Sequence, residues 1–366
     1  MMEFPRFITA ERKGKSMSII VVGIDLAKNV FAVHGINESG KAELIKPRVA
    51  RDKLRSLIAS LPPCLIGMEA CSGAHHWARL FEAHGHTVRL MAPKFVVPYR
   101  LSGRRGKNDA ADAAAICEAV TRPNMRFVPI KDAHQQATLS LHRTRQGFVA
   151  ERTASYNRLR GLIAEFGVVL PQKVERLRRE IGAHLDALPG WARRCVQDLL
   201  AHIAVLDTRI DEYDEAIKQI AREDARSRAL MQLPGIGPTT ASALLASLGV
   251  GHDFRNGRQV AAWIGLVPGQ NSSGGKSRLG RITKAGDAYL RSLLVLGARS
   301  LLAALGDKQD RFSRWARALV ARSGYWKAVI AIAAKNARLA WAVLKYGEDF
   351  RLTHHTVPRE QSAVSV

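Results

Sequence analysis

The sequence predicts an α/β domain at its N-terminal end and a mainly helical remainder. Three observations predict it. Short apolar runs alternate with helix-like segments between residues 19 and 92, the pattern from about 133 to 226 is helical almost throughout, and one apolar seam there repeats at heptad spacing. At 366 residues, the chain has room for two to three domains of about 100–200 residues each.

The elements follow in order. IIVVGID (19–25) reads as a buried strand ending in an aspartate. FAVHGI (31–36) and KAELIK (41–46) read as strands joined by the turn sequence NESG. A helix covers about 50–60 and is stopped by Pro62 and Pro63. CLIGMEA (64–70) is a second apolar strand ending in an acid, AHHWARLFEAHG (74–85) a helix with a terminal glycine, and HTVRLMA (86–92) another strand. The order β-β-β-α-β-α-β implies a mixed sheet with helices on its faces. A basic loop, YRLSGRRGKN (99–108), leads into DAADAAAICEAV (109–120), which its alanines make a helix.

Further on, Val196, Leu199, Ile203, Leu206, Ile210, Tyr213, Ile217 and Ile220 alternate at spacings of three and four. Such a seam is either a coiled coil between subunits or a long helix packed within its own chain. LPGIGPTTASALLASLG (233–249) opens the next module. WIGLVPGQNSSGGKSRLGRITKAG (263–286) reads as a glycine- and serine-rich basic loop, DAYLRSLLVLGARSLLAAL (287–305) as a helix, and further helices run to about 346.

Composition narrows the function. Lys and Arg number 56 against 32 Asp and Glu, a net charge of +24. A compact body with that excess repels itself unless a polyanion shares its surface, so nucleic acid is the expected partner. The longest apolar run, AVIAIAAKNARLAWAVL, is broken by Lys335, Asn336 and Arg338, so no membrane span is expected. Residues 1–17 lack the apolar stretch of a secretory signal and read as a basic tail, with Met17 an alternative start. Cys64, Cys71, Cys117 and Cys195 show no CxxC pairing, which fits a reducing cytoplasm.

Four acids stand out. Asp25 and Glu69 each close an apolar strand, and Asp109 and Asp112, three apart, share one face of a helix start. Carboxylates gathered in this way repel one another, and the hard ions Mg²⁺ or Mn²⁺ relieve that repulsion. Two such ions support phosphodiester chemistry. Taken singly, each acid has a plainer reading: Asp109 as an N-cap, Asp112 as dipole charge, Asp25 as the start of a turn, Glu69 as an arginine's partner.

IIVVGIDLAKN, LIGMEACSG and GRRGKNDAADA together resemble the N-terminal domain of the DEDD transposases of the insertion sequence 110/1111 family. SSGGKSRLGRITKAG, downstream of LPGIGPTTASALLASLG and AAWIGLVP, resembles that family's C-terminal domain. The resemblance spans about residues 18–345. It implies a RuvC-like, RNase H fold over 18–130, a helical coiled-coil or oligomerisation region over 131–228, and a C-terminal transposase domain over 229–346 with a polar tail at 347–366. It places Asp25, Glu69, Asp109 and Asp112 at the four metal-binding catalytic positions. It implies a serine nucleophile in the loop; Ser273, before Gly274, is the best match, with Ser272 the alternative. It also implies donor and target DNA as partners, a bridge RNA that reads sequence by pairing, a dimer or tetramer, and a bacterial cytoplasmic setting.

Expected nucleic-acid contacts are Arg104, Arg105 and Lys107 beside the acids, and Lys276, Arg278, Arg281 and Lys284 in the serine loop. Gly235 and Gly237 belong to a stretch similar to a helix-hairpin-helix, which grips backbone rather than bases. Two other readings stay open: a metal-dependent junction endonuclease without a covalent intermediate, and a non-catalytic nucleic-acid-binding protein whose acids are only caps.

Overall fold

Valine and isoleucine dominate residues 19–24, and β-branched side chains suit the pleated surface of a sheet. In the computed structural model, which describes residues 18–100, 109–273 and 276–347, this run is strand β1 (Ile19–Asp25). It is followed by β2 (Val30–Asn37), β3 (Ala42–Ala50), α1 (Arg51–Ala59), β4 (Leu65–Glu69), α2 (Ala74–Glu82), β5 (Thr87–Met91), α3 (Pro93–Val96), α4 (Asp109–Val120) and β6 (Phe127–Val128). The strands form one six-stranded sheet in the order β3-β2-β1-β4-β5-β6. β1, β4 and β5 run parallel; β2, β3 and β6 join antiparallel. This is the predicted mixed sheet with one strand added, because β6 is two residues long and carries no periodic signal. β3 runs on to Ala50 and contains Pro47, which an edge strand tolerates because it has one side without a ladder partner.

The two faces of this sheet are packed differently. On one, Val22, Ile24, Ile66, Met68 and Leu90 meet Leu54 and Ile58 of α1 and Trp77 and Phe81 of α2. On the other lies α4. There β1 and β4 present glycines, Gly23 paired in register with Gly67. A Cβ on Gly23 would stand 2.8 Å from Cys117 Cα, and nearer still to Ala113 O and Cys117 N; one on Gly67 would stand 2.8 Å from Val120 Cβ. Helix α4 therefore rests directly on the main chain of the two central strands.

The chain divides into two compact units, with the boundary between Asp132 and Ala133. The second holds α5 (Ala133–Ala164), α6 (Val174–Glu180), α7 (Gly190–Glu223), α8 (Ala225–Met231), α9 (Pro238–Leu248), α10 (Gly257–Ile264), β7 (Pro268–Ser273), β8 (Lys276–Ile282), α11 (Ala288–Ala303), α12 (Arg311–Ser323) and α13 (Tyr325–Tyr346). α5 and α7 pair antiparallel: Arg145 with Asp214, Arg152 with Asp207 at 2.8 Å, and Phe148 edge-on to Tyr213. Val196, Ile203, Leu206, Ile210 and Ile217 of the heptad seam are buried within the chain, so packing against the chain's own helices accounts for the repeat. α8 to α13 enclose a separate apolar core around Leu244, Leu294, Ile332 and Ala337.

One expectation is corrected. The glycine- and serine-rich stretch is not a loop throughout, since β7 and β8 form an antiparallel hairpin with Ser272 opposite Ser277 and Ser273 opposite Lys276. Its residues are polar and exposed on most positions, so no apolar alternation marks it as strand. No helix among the described residues is long and apolar enough to cross a membrane.

Candidate active site

The paired glycines place the acids. Asp25 and Glu69 lie two residues beyond Gly23 and Gly67 on adjacent parallel strands, so all four positions point to the same sheet face. That face is the one covered by α4, whose first turn carries Asp109 and Asp112. Two strand ends and one helix start, unrelated in sequence, thus converge.

The electrostatics record that convergence. Burial, and then the charges of Asp112, Glu69 and Asp109, push the Asp25 carboxyl up to about 6. Burial and Asp112 also raise Glu69, against the pull of Arg100. Arg100 is the local counter-charge: its Nη2 donates to Glu69 Oε1 at 3.0 Å, and its Nε stands 3.0 Å from Asp112 Oδ1. The Nε–H does not point along that second contact and finds no hydrogen-bond acceptor. Cys71 sits close enough for Glu69 and Asp25 to reinforce the effect of burial in raising its thiol.

A divalent ion fits the chemistry of this donor set. Asp25, Glu69 and Asp112 offer only carboxylate oxygens, and burial together with its acidic neighbours makes the charged form of Asp25 costly, a cost that a cation relieves. Among the described residues no three His, Cys, Asp or Glu side chains already stand together as a metal cage. Glu69 and Asp112 are instead drawn onto Arg100, while Asp109 is exposed at the helix start. Arg104, Arg105 and Lys107 lie outside the described residues.

The serine hairpin stands on a rigid base. Gly265 and Gly286 adopt positive φ, where a Cβ on the first would strike Ala285 and one on the second Trp263 O. Arg291 Nη1 donates to the carbonyls of Ile264 at 2.8 Å and Ala285 at 3.1 Å. Ser272 is exposed, and its Oγ accepts from Gln270 Nε2 at 2.7 Å. Ser273 is the last residue of β7; Gly274 lies outside the described residues. Lys276, Arg278, Arg281 and Lys284 are all exposed.

The two hairpin glycines differ in role. Gly235, at φ 83°, packs against α11: a Cβ there would stand 2.6 Å from Gly297 O. Gly237 is exposed with open space around it and precedes the uncapped start of α9. Gly235 thus serves packing, whereas Gly237 stands in open space at a helix start that carries no side-chain cap.

Two features escaped sequence reasoning. One is which arginine pairs with Glu69: the sequence offered an arginine partner for that acid, but not that it is Arg100 or that the same side chain also reaches Asp112. The other is a buried polar relay in the second unit, where His142 meets Tyr289 Oη at 2.9 Å and Ser242 Oγ at 2.9 Å. Burial, with Arg145 nearby, pushes His142 down to about 4, so the ring is neutral. No spacing rule links residues 142, 242 and 289.

A transposase model of the IS110 DEDD type matches residues 22–167, and the model described as "Transposase IS116/IS110/IS902 family" matches residues 227–315. A probable family 20 transposase of Pseudomonas aeruginosa is 44% identical over 340 residues, covering 92% of this chain and 99% of that protein. The transposase for insertion sequence element IS1111A of Coxiella burnetii is 38% identical over 348 residues, covering 94% of each. A pilin gene-inverting protein of Moraxella lacunata is 25% identical over 355 residues, covering 91% of this chain and 98% of that protein. With both units matched and relatives aligned nearly end to end, the chain belongs to the IS110/IS1111 family of transposases.

Proposed function

We propose that the chain cleaves and exchanges DNA strands, using the four acids of its first unit and a serine nucleophile on its second. The observation that carries this reading is the convergence of Asp25, Glu69, Asp109 and Asp112 on one sheet face, with Asp25 raised to about 6 by burial and its acidic neighbours. Caps alone do not account for it, since Asp25 and Glu69 end strands and cap no helix. A bound Mg²⁺ or Mn²⁺ would supply charge neutralisation at the scissile phosphate and lower the proton affinity of an attacking oxygen.

The protein's own residues do the rest. Asp25, Glu69 and Asp112 would hold the ion, with Asp109 completing the set. Arg100 keeps Glu69 and Asp112 paired until the site is filled. Ser273 Oγ attacks phosphorus: an Oγ–P bond forms, the P–O bond to the leaving deoxyribose oxygen breaks, the serine proton is given up and the leaving oxygen takes one. The exposed cations of the hairpin steady the phosphate. The rigid hairpin base supports the reading, because a nucleophile must be held within tenths of an ångström. A bridge RNA that pairs with donor and target DNA, and a dimeric or tetrameric assembly, complete the proposal by likeness to the family.

The test is a denaturing gel for protein–DNA adducts, with Mg²⁺, the RNA from the element ends, and matched donor and target DNA. Wild type forms an adduct. Asp25→Asn and Ser273→Ala form none, Ser272→Ala retains it, and omission of the RNA removes it. Cut DNA without any adduct would transfer the reading to a water-using endonuclease. A thermal shift supplies a readout independent of turnover: Mg²⁺ raises the melting temperature of the wild type and leaves Asp25→Asn unmoved.

A further inference from the structure

Ion pairs are unevenly distributed. Among the described residues, every Lys or Arg paired with an Asp or Glu lies between residues 52 and 226. Beyond Arg226, at the start of α8, no described lysine or arginine of the α8–α13 module is so paired, although the module is rich in both. Most of its cations are exposed and solvated, which needs no explanation. Lys335 is different. It is only partly exposed on α13, and its Nζ stands 4.0 Å from the centroid of Trp315 and 5.2 Å from that of Phe312.

The two rings come from α12 and lie edge to face, 5.4 Å between centroids. They give Lys335 a cation–π seat but no counter-charge. The acid closest in sequence to these rings, Asp310, accepts from the N–H groups of Phe312 and Ser313 and from Ser313 Oγ as the α12 cap. Arg311 and Arg338, from the same two helices, are exposed and carry no carboxylate partner among the described residues. Burial, with Arg338 and Arg311 adding repulsion, pushes the Lys335 ammonium below the usual lysine range. A half-buried cation among like charges destabilises the free protein. Three cations around an aromatic seat suit a phosphodiester backbone, whose charge relieves both the burial and the repulsion.

We propose that Lys335, Arg311 and Arg338 form a phosphate-docking site on the α12–α13 face, which takes the backbone of a nucleic-acid strand. The site is separate in sequence from the acids and from the serine hairpin. The inference rests on the nucleic-acid role given above. Its ligand is the phosphodiester itself, which DNA and RNA share, so the assay has an arm for each.

The experiment measures binding of the full chain by fluorescence anisotropy across a salt series, with a mixed-sequence DNA duplex of about 30 base pairs and an RNA hairpin of similar length. Lys335→Met keeps the length and the ring contact but removes the charge. A triple variant adds Arg311→Gln and Arg338→Gln. On the polymer that docks here, the slope of log K against log salt shrinks by about 0.9 for Lys335→Met and about 2.7 for the triple variant if that polymer is duplex DNA, somewhat less if RNA. Lys335→Arg retains the wild-type slope. The melting temperature of Lys335→Met stays level or rises, since a repelled, half-buried charge is gone.

An unchanged slope on both polymers in the triple variant overturns the site. So does a marked fall in the melting temperature of Lys335→Met, which would make Lys335 a packing residue. Wild-type protein that binds neither polymer would sink the nucleic-acid reading as a whole. Wild-type binding with an unaltered triple variant sinks only this inference.

Discussion

Placing one methyl group under α4 tests the argument that main-chain contact positions the acids. In Gly23→Ala the new Cβ stands 2.8 Å from Cys117 Cα and closer to two other backbone atoms of the helix. Carbon atoms pack at about 3.5–4.0 Å, so α4 must retreat by about 1 Å. The contacts are backbone, so no rotamer change relieves them. Overpacking of this kind costs about 1–3 kcal/mol, against a typical stability of about 5–15 kcal/mol, and the first unit stays folded. Asp109 and Asp112 ride on the displaced helix, while Asp25 and Glu69 stay with the sheet. A misplacement of about 1 Å at a reacting centre costs on the order of 100-fold in rate. Strand cleavage should therefore fall about 100-fold, with only a few degrees lost from the melting temperature. Gly67→Ala presses on the far end of α4, at Val120, and should cost stability with a smaller loss of rate. Gly147→Ala, on an exposed face of α5 with open space around it, is the control and gains about 0.5–1 kcal/mol. Gly23→Ala protein with wild-type cleavage and melting temperature would refute the reasoning.

Other expectations concern charge and packing. Asp25 binds its proton more tightly in the folded chain, its carboxyl rising from 3.8 to about 6. The stability it contributes is therefore full below about pH 4 and is lost as pH rises through about 6. Asp25→Asn should thus be the more stable protein at pH 7.5, by about 1–2 kcal/mol after solvent screening, with the gain gone below about pH 4 in metal-free denaturant melts. His142 has the opposite sign: lowered from 6.5 to about 4, it contributes stability above pH 6.5 that drains as pH falls toward 4, up to about 3 kcal/mol. Acid titration of the melting curve should show that loss in the wild type and not in His142→Phe, which is itself less stable by about 1–3 kcal/mol. Gly235→Ala forces a Cβ to 2.6 Å from Gly297 O and should destabilise the second unit by about 1–3 kcal/mol. Gly237→Ala, in open space, should leave the melting temperature alone; both are read by calorimetry.

Sequence legibility followed the length of each signal. α4 begins and ends where DAADAAAICEAV does, because alanine propensity summed over twelve positions leaves little competition. β1 and β4 were visible as apolar runs, and their terminal acids followed from that. The hairpin of β7 and β8 was not, because a strand with solvent on its flanks needs no apolar face. The heptad seam was legible as a pattern but not as a partner, since a spacing of three and four says what is buried and not by what. Arg100 shows the same limit at the site: its place in a basic run was plain, and its bridging of Glu69 and Asp112 needed the fold of three separate segments.

The α5–α7 pair has a mechanical meaning. At 34 residues and about 1.5 Å per residue, α7 is about 51 Å long, close to the length of about 15 base pairs of B-DNA at about 3.4 Å each. Both helices pack against α9, and the far end is closed by its own small core of Leu159, Ile163, Leu177 and Val196. Ion pairs and buried side chains tie the two helices along their length, so they bend as one beam rather than as two rods. The tip, where Val169 and Trp191 are 91% and 84% exposed, is held at a fixed remove from the root on α9. The pair fixes a distance: its length is written in helix rise, and shortening it by whole heptads would reset the separation of tip and root in steps of about 10 Å.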